Sequence, residues 1–449
     1  MKKFNFVFII AYFVLLAIPA LTMPFFFNAN NTEKRELANF PELVKEESIN
    51  KDFVDELDDF VNDRIGLRQV LVSANTALKT GIFKHSTEDS IIVGKNDWLF
   101  YSDTASDYMG VRTLSDRNIS NIVSTYEMVS DKLEEDGIVF VMTLIPNKNT
   151  VYPQYMPDTF VKTGNNSNME VLSDKLKESG ITYADVYSRL SSSDEILYQA
   201  RDSHWTYKGA FYGYDEIMKS FGLENAFADL LFEEKNDWDA DLGVMLYSVN
   251  AKKDKQIYPE FEFSYEYTSH EKEPDSIQLV TENESASGKA LIFRDSFMNT
   301  GHKYFAQSFE YCLFSRAYPY KIDMAYSKEA DYVLLEIVER NIQNLAIKAP
   351  VMEAPKATID VKDLTMADKN DYYLTFIEEN GYTHIYGYID EKYLNVDNDI
   401  YINVDGVIYK AFPIYEQNLL ESEEIKDNGF SLYIPKTDAN DFVTEVYIN

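Results

Sequence analysis

The chain has 449 residues, enough for two or three domains, and its 45% content of hydrophobic residues can build a large core. Its formal net charge of −33 argues against nucleic-acid binding, which needs a basic surface, and against docking on anionic lipid head groups. The single cysteine, Cys312, excludes an intrachain disulfide and any cysteine-rich metal site.

The N-terminal segment is predicted to span a membrane. Lys2 and Lys3 precede a mostly apolar run from Phe6 to Phe27, and a spanning helix needs about 20 such residues. Because a basic pair on the short N-terminal side keeps that end in the cytoplasm, residues 1–27 are expected to form an uncleaved, single-pass signal anchor. The rest of the chain is then extracytoplasmic and held at the cell membrane.

A cleavable signal peptide ending at Ala20 is the alternative. The large residue Ile18 stands where a small one is expected before such a cut, and the apolar run continues past Ala20. These two features favour the anchor over cleavage. Both alternatives export the same domain.

Residues 28–85 are expected to form a stalk followed by a helical segment. The stalk, 28–50, is rich in Asn, Glu and Lys and contains Pro41. Between 51 and 85, apolar residues recur at helical spacing, which predicts one or two amphipathic helices packed on the following domain. These residues are Phe53, Leu57, Phe60, Val61 and Ile65.

From 86 to 348 strands alternate with helices, which predicts a layered α/β domain. The continuous apolar run Ile138–Ile145 is typical of a parallel strand buried on both faces. Another buried strand is predicted at Lys289–Phe293, and a helix at Lys208–Phe221. The irregular, acidic and aromatic stretch 222–288 is expected to be an insertion beside the functional site.

The C-terminal part is predicted to be a separate all-β domain. Residues 349–362 contain two prolines and are typical of a linker. Beyond them, 363–449 consists of short alternating segments with a hairpin turn at 404–407, as expected for a small β-sandwich. The chain's 33 tyrosines fit this strand content. They also fit a carbohydrate-binding surface, because an aromatic face with a polar tip stacks on sugar rings.

Two short segments carry the residues of a charge-assisted nucleophile. Asp202 lies two positions before His204, so a tight turn can bring their side chains together. Ser296 follows the apolar segment Ala290–Phe293 and lies on the loop at that strand's end, where open α/β sheets place their sites. In such a triad the histidine accepts the serine proton and the carboxylate orients the imidazole. A purely structural Asp–His pair is the alternative that the short motif alone leaves open.

Three further segments carry recognisable patterns, in this order along the chain: Gly94–Tyr101, Pro146–Pro153 and Arg294–Phe297. Together with Asp202–Ala210 they resemble the motifs of the DHHW family, which is similar to the alginate O-acetyltransferases with an SGNH-hydrolase-like domain. The resemblance spans roughly residues 85 to 345. Two positions depart from it: Ser203 replaces the first histidine of the Asp-His-His-Trp signature, and Asp97 stands where the family often has glycine.

The resemblance implies that Ser296 is the nucleophile, His204 the base and Asp202 the carboxylate that orients the base. Four further residues are candidates for substrate binding or for the oxyanion hole: Asn147, Lys148, Arg316 and Trp205. For Lys148 a solvated surface charge is the alternative. Trp205 is expected to pack under His204 and to fix its orientation.

No metal ion or cofactor is expected. The run Asp397-Asn398-Asp399 resembles only a fragment of a calcium-binding loop. Two acidic residues near the triad have structural alternatives. Asp295 is expected either to polarise the site or to cap its loop, and Glu339 is expected to form an ion pair with Arg340.

The resemblance implies an exported O-acetyltransferase that moves an acetyl group through a serine ester to hydroxyls of a cell-surface or secreted polysaccharide. A cytoplasmic acetyl donor cannot reach an exported site, so the resemblance also implies a membrane-bound O-acyltransferase as partner. A carbohydrate esterase is an alternative, because transfer and hydrolysis share one acyl-enzyme. A non-catalytic surface protein that binds glycans is the other.

Overall fold

The computed structural model describes residues 38–45, 48–227, 229–247, 251–416, 426–436 and 443–449, together with isolated positions between 6 and 22. The predicted anchor, residues 1–27, therefore lies mostly outside the described residues, as does the first part of the predicted stalk. No helix formed by the described residues combines the length and the apolar character needed to cross a bilayer.

From residue 38 onward the described α-helices are α1 (Phe53–Arg64), α2 (Arg68–Leu78), α3 (Ala105–Met109), α4 (Asp116–Glu135), α5 (Lys148–Val151), α6 (Asn168–Glu178), α7 (Val186–Ser191), α8 (Tyr207–Ser220), α9 (Asp241–Leu246), α10 (Met298–Ser308), α11 (Met324–Ser327) and α12 (Asn344–Ile347). The strands of the α/β part are β1 (Val44–Lys45), β2 (Ser48–Ile49), β3 (Ile91–Val93), β4 (Leu99–Tyr101), β5 (Val139–Ile145), β6 (Tyr183–Ala184), β7 (Phe232–Trp238), β8 (Asp254–Pro259), β9 (Glu266–Tyr267), β10 (Gln278–Glu282), β11 (Lys289–Phe293), β12 (Tyr311–Ser315) and β13 (Tyr332–Val338). The C-terminal strands are β14 (Thr365–Met366), β15 (Tyr372–Glu379), β16 (Tyr382–Ile389), β17 (Ile400–Val404), β18 (Val407–Lys410), β19 (Phe412–Glu416), β20 (Lys426–Pro435) and β21 (Thr444–Ile448).

A seven-stranded sheet organises the α/β part, with strand order β6-β5-β13-β11-β12-β10-β9. The strands from β6 to β12 run parallel, whereas β10 and β9 are antiparallel to their neighbours. The central strands are almost wholly buried, which explains their continuous apolar sequence. Because β5, β13 and β11 are parallel neighbours, their carboxyl ends meet at one edge of the sheet, and the loops that follow them face each other there.

Two glycines let helix α8 pack closely against Trp205 and the loop before it. Its N-cap is Thr206, whose hydroxyl accepts the backbone N–H of Gly209 at 3.0 Å. A Cβ atom at Gly209 would lie 2.4 Å from the carbonyl oxygen of Leu197, and one at Gly213 would lie 3.0 Å from the indole of Trp205. The two glycines therefore let the helix backbone approach the loop that carries the Asp-x-His motif.

Two four-stranded sheets make up the C-terminal part, with orders β14-β21-β17-β18 and β15-β16-β20-β19. All their pairings are antiparallel. Buried side chains of both sheets belong to one core, and that core continues into α4 and β5 of the α/β part. The two parts of the molecule therefore share their apolar packing.

The segment predicted to be a linker, 349–362, is packed over its first half. Val351 and Met352 are fully buried. The backbone N–H of Ala354 donates to the carbonyl of Tyr433 at 2.8 Å, which attaches the segment to strand β20. Proline content predicted an exposed connection, but the apolar residues beside the prolines are drawn into the shared core instead.

Arg117 on α4 joins the two parts through polar contacts. Its guanidinium donates to the carbonyl of Asp427 at 3.4 Å, to the side chain of Asn398 at 3.2 Å and to the carbonyl of Asn395. Burial lowers the pKa of Arg117, against the opposing charges of Asp427 and Asp399. The guanidinium thus donates both to strand β20 and to the loop at 395–398.

We expect Arg117→Ala to lower the free energy of unfolding by about 1–3 kcal/mol, because part-buried acceptors on both parts of the molecule lose their charged donor. Lys132→Ala is the matched control on the same helix. The side chain of Lys132 is 35% exposed and pairs with Asp136 at 2.8 Å, so its loss should change stability by less than about 0.5 kcal/mol. Urea denaturation of both variants measures the difference, and equal small effects would show that Arg117 does not hold the two parts together.

Candidate functional site

The loop after β11 presents Ser296 at the carboxyl edge of the sheet. Asp295 holds this loop in place, because its carboxylate accepts the backbone N–H of Phe297 at 2.9 Å and that of Val338 at 2.7 Å. The N–H of Asp295 donates to the buried carboxyl of Glu336 at 2.9 Å. Burial and the nearby charge of Asp295 raise the pKa of Glu336 well above its usual range. Asp295 therefore caps the serine loop, one of the two roles predicted for it.

The structure brings the three proposed triad residues together. The Oγ atom of Ser296 lies 2.9 Å from Nε2 of His204. On the other side of the ring, Nδ1 of His204 lies 2.8 Å from Oδ1 of Asp202. Asp202 is buried, whereas the side chain of His204 is 23% exposed. This geometry allows the imidazole to accept the serine proton while Asp202 holds its Nδ1–H.

Charges around the imidazole favour its protonated form. Burial alone would raise the pKa of Asp202, but the hydrogen bonds and charge of His204 and the backbone N–H of Asp241 together hold it well below its usual range. Burial alone would lower the pKa of His204, but the hydrogen bond and charge of Asp202, helped by Asp241, raise it. His204 is therefore a stronger base than a free histidine. Only its neutral form, which prevails above this raised pKa, can take up the serine proton.

The insertion at 222–288 supplies partners that sequence reasoning did not identify. Trp238, at the end of β7, donates its indole N–H to Oδ2 of Asp202 at 3.1 Å. The backbone N–H of Asp241 donates to the same oxygen at 2.9 Å. The Asp241 carboxylate in turn accepts the N–H and hydroxyl of Ser203 at 2.8 and 2.5 Å. No periodic pattern marks these residues, so the sequence offered no signal for them.

The carboxylate oxygens beside His204 are already engaged in hydrogen bonds. Side-chain ligand atoms of Asp202, His204 and Asp241 lie within 4.8 Å of one another. Both oxygens of Asp202 already accept two N–H donors each, from His204 on one side and from Trp238 and Asp241 on the other. The carboxylates are thus committed to orienting the histidine.

Lys148 is neither a surface charge nor an oxyanion donor. It is buried, and its ammonium donates to the carbonyls of Gln199, Ala200 and Asp202 at 3.0, 3.0 and 2.5 Å. Burial lowers the pKa of Lys148 to about 8, although nearby carboxylates oppose the shift. All three of its N–H donors are used, so Lys148 positions the loop that carries Asp202 and His204 and has none left for substrate.

The aromatic residues of the Gly-Lys-x-x-Trp-Leu-Phe-Tyr segment cover this lysine. The ammonium of Lys148 lies 5.4 Å from the ring centroid of Trp98 and 5.1 Å from that of Phe100. Cation–π attraction and exclusion of water both hold the ammonium on its carbonyl acceptors. The first, second and third motifs along the chain therefore meet at one buried charge.

Asn147 lies at the end of β5 beside Glu339. The carboxyl of Glu339 accepts the backbone N–H of Asn147 at 2.8 Å and the hydroxyl of Thr150 at 2.6 Å. Burial raises the pKa of Glu339 to about 7. Among the described residues, the side-chain amide of Asn147 is buried without a hydrogen-bond partner. The oxyanion role predicted for Asn147 stays a prediction.

Trp205 and Arg316, the other two candidates, are both held by contacts within the protein. Trp205 is 2% exposed, and its indole N–H donates to the carbonyl of Phe297 at 2.9 Å. It ties the histidine loop to the serine loop, while the ring that contacts His204 is that of Phe297, at 5.0 Å between centroids. Arg316 forms an ion pair with Asp275 and holds the loop before β10. Trp205 is too deeply buried to contact a substrate, whereas the substrate role predicted for Arg316 stays a prediction.

Arg340 is a cation whose charge acts on His204. The predicted Glu339–Arg340 ion pair is absent from the described residues, because Glu339 turns inward to Asn147. The guanidinium of Arg340 lies 5.4 Å from the ring centroid of Phe297, makes no hydrogen bond or ion pair within the described part of the chain, and lowers the pKa of His204. Its guanidinium N–H groups are unused within the described part of the chain, and it lies beside the ring of the residue that follows Ser296.

Part of the α/β domain matches a known family model. Residues 91–286 match the family model described as the SGNH hydrolase-like domain of acetyltransferase AlgX. The resemblance predicted from the motifs is thereby confirmed. The chain contains an SGNH-like α/β domain, and the matched range includes Lys148, Asp202 and His204 but ends before Ser296. No curated protein sequence matches the chain closely enough to count as a relative.

Several solved structures are similar to the chain at low identity. PatB1 of Bacillus cereus is 19% identical, with a TM-score of 0.45 over 57% of this chain and 97% of that one. A DHHW family protein from Eubacterium siraeum is 17% identical, with a TM-score of 0.42 over 56% and 94%. The O-acetyltransferase domain of Pseudomonas putida AlgJ is 13% identical, with a TM-score of 0.39 over 56% and 92%.

We expect Lys148→Met to lower the free energy of unfolding by about 3 kcal/mol, because three buried carbonyls lose their donor. The loop bearing Asp202 and His204 should loosen as well, so any activity that depends on them falls with it. Lys95→Met is the control, since Lys95 is exposed and pairs only with Asp158 at 2.5 Å. Denaturation curves that are the same for the two variants would contradict the positioning role.

Proposed function

We propose that the protein is an exported O-acetyltransferase that moves an acetyl group through an ester on Ser296 to hydroxyls of a cell-surface or secreted polysaccharide. The observation that carries this proposal is the contact chain from Ser296 through His204 to Asp202 at the carboxyl edge of the parallel sheet. The match to the SGNH hydrolase-like domain of acetyltransferase AlgX supports the choice of acyl transfer.

The first half of the reaction makes the acyl-enzyme. Ser296 Oγ attacks the carbonyl carbon of the acetyl donor as its proton moves to Nε2 of His204. The tetrahedral intermediate then collapses, the bond to the donor's oxygen breaks, and that oxygen takes the proton from His204. In the second half a sugar hydroxyl gives its proton to His204 and attacks the acetyl carbon, and Ser296 Oγ leaves with that proton.

Two groups are placed to stabilise the negative oxygen of each intermediate. The backbone N–H of Ser296 has no hydrogen-bond partner among the described residues, and it adjoins the oxygen that the attack creates. The second is the free guanidinium of Arg340. A charged donor stabilises a negative oxygen more strongly in a partly buried site than in water. We therefore propose that Arg340 fills the oxyanion role predicted for Lys148.

The same proposal places the site outside the cytoplasm. Lys2 and Lys3 before the apolar run ending at Phe27 favour an anchor with its N-terminus inside. Acetyl groups then come from a membrane-bound O-acyltransferase, because cytoplasmic donors cannot reach Ser296. Holding both proteins at one bilayer raises their effective concentration and speeds the handover.

A cavity beside the C-terminal sheets is our candidate for binding the polysaccharide. A cavity of about 330 Å³ opens between strands β15, β16 and β20 and the α/β part, and its lining includes Tyr386, Tyr433 and His384. The imidazole of His384 stacks on Tyr433 with 4.2 Å between centroids. Aromatic faces beside polar groups suit a sugar ring, so we propose that this cavity binds part of the acceptor chain.

Replacing triad residues tests the assignment. We expect Ser296→Ala, His204→Ala and Asp202→Ala each to remove most acetyl transfer to a glycan oligomer from an activated acetyl ester, with the fold intact by circular dichroism. The losses should not add, because the three residues act as one unit. An Asp202→Ala variant with full activity would remove the triad. Acetate found in water but never on sugar would make the protein an esterase.

The role of Arg340 has its own test. We expect Arg340→Met to slow acylation of Ser296 by a neutral activated ester about a hundredfold, as loss of one oxyanion donor does. Arg316→Met is the matched control, because Arg316 is neutralised by Asp275 and should change the rate only slightly. If the two variants react at the same rate, another group must stabilise the oxyanion.

A further inference from the structure

We infer that Asp241 is a positioning residue that, together with Ser203, sets the basicity of His204. The inference rests on the proposed use of His204 as the base. Oδ2 of Asp241 lies 3.6 Å from Nδ1 of His204, beside the Asp202 oxygen at 2.8 Å. Two carboxylates therefore flank the same edge of the imidazole.

Ser203 makes this arrangement possible. It stands at the motif position where the family has its first histidine, and its small side chain leaves space for a carboxylate from the neighbouring insertion. Its hydroxyl donates to Oδ2 of Asp241 at 2.5 Å and lies 3.2 Å from Nδ1 of His204. Its backbone N–H donates to Oδ1 of Asp241 at 2.8 Å. Ser203 thus fixes the carboxylate against the ring.

Asp241 also helps to place the first carboxylate. It begins helix α9, and its own backbone N–H donates to Oδ2 of Asp202 at 2.9 Å. A single residue of the insertion therefore orients Asp202 through its main chain and acts on His204 through its side chain. These two contributions can be separated, because a side-chain substitution leaves the N–H in place.

The charges that face the imidazole come from three elements. Asp202 and Asp241 raise the pKa of His204, whereas burial and Arg340 lower it. Lys148 donates to the carbonyl of Asp202 and not to the ring. Burial and the charge of Asp202 raise the pKa of Asp241, while the charge of His204 and the donors of Ser203 oppose that rise. The charge of Asp241 thus opposes the effect of Arg340, the proposed oxyanion donor, on the pKa of His204.

The sign of the effect follows directly. A negative charge beside the ring stabilises the imidazolium, so removing it lowers the pKa of His204. Acylation of Ser296 needs the neutral imidazole, so its rate rises with pH through that pKa. We expect Asp241→Asn to move the midpoint of this rise down by roughly one pH unit and to lower the plateau, because the base is weaker.

The test is the pH–rate profile of Ser296 acylation by p-nitrophenyl acetate for the full chain and three variants. Asp241→Asn keeps the size and the acceptor oxygen of the side chain and removes its charge. Ser203→Ala should give a smaller shift in the same direction. Asp239→Asn is the control, since Asp239 is exposed and pairs with Lys253 at 2.5 Å, and its profile should match wild type.

A second readout separates this inference from the proposed function. The pKa of His204 is measured by NMR titration in the Ser296→Ala background, with and without Asp241→Asn, so that it needs no catalysis. A lower pKa in the double variant supports the inference even if no acyl-enzyme ever forms. An unchanged pKa and an unchanged pH–rate midpoint, alongside a lower thermal midpoint, would overturn it and leave Asp241 a purely structural residue.

Discussion

One buried ammonium holds the site together. Lys148, the first residue of helix α5 after β5, donates to three carbonyls of the loop that carries Asp202 and His204, and the rings of Trp98 and Phe100 cover it. An ammonium with every donor used is costly to bury but rigid once buried. It fixes the base relative to β5 and adds to the short antiparallel pairing of Tyr198 with Trp205 that closes this loop.

Two further hydrogen bonds hold the serine loop next to the histidine loop. Trp205 donates to the carbonyl of Phe297, and the Asp295 carboxylate fastens the same loop to the end of β13. Each hydrogen bond connects segments that are distant in sequence, and together with those of Lys148 they link all four motifs. The four motifs therefore pack together as one unit. This explains why they include residues that hold the site in place without contacting a substrate.

The sequence was sufficient for the elements and residue types with a strong local signal. The apolar run of β5 and the helix after Thr206 follow from composition and capping, and the motifs contain the three side chains that the structure brings into contact. Side-chain direction was not predictable. Glu339 and Arg340 are adjacent yet face opposite ways, and Lys148 points inward to carbonyls that only the folded loop presents. Trp238 and Asp241 come from an insertion without periodicity, and the supposed linker is held by a core shared between two parts of the chain.

The central claim is that Ser296 carries the acyl group. The most direct measurement is peptide mass spectrometry of the protein after brief reaction with an activated acetyl ester, followed by addition of a glycan oligomer. The account predicts an acetyl group on the peptide containing Ser296, its disappearance when the glycan is added, and acetyl on the sugar. An acetyl group on another residue, or transfer that persists in Ser296→Ala, would contradict it.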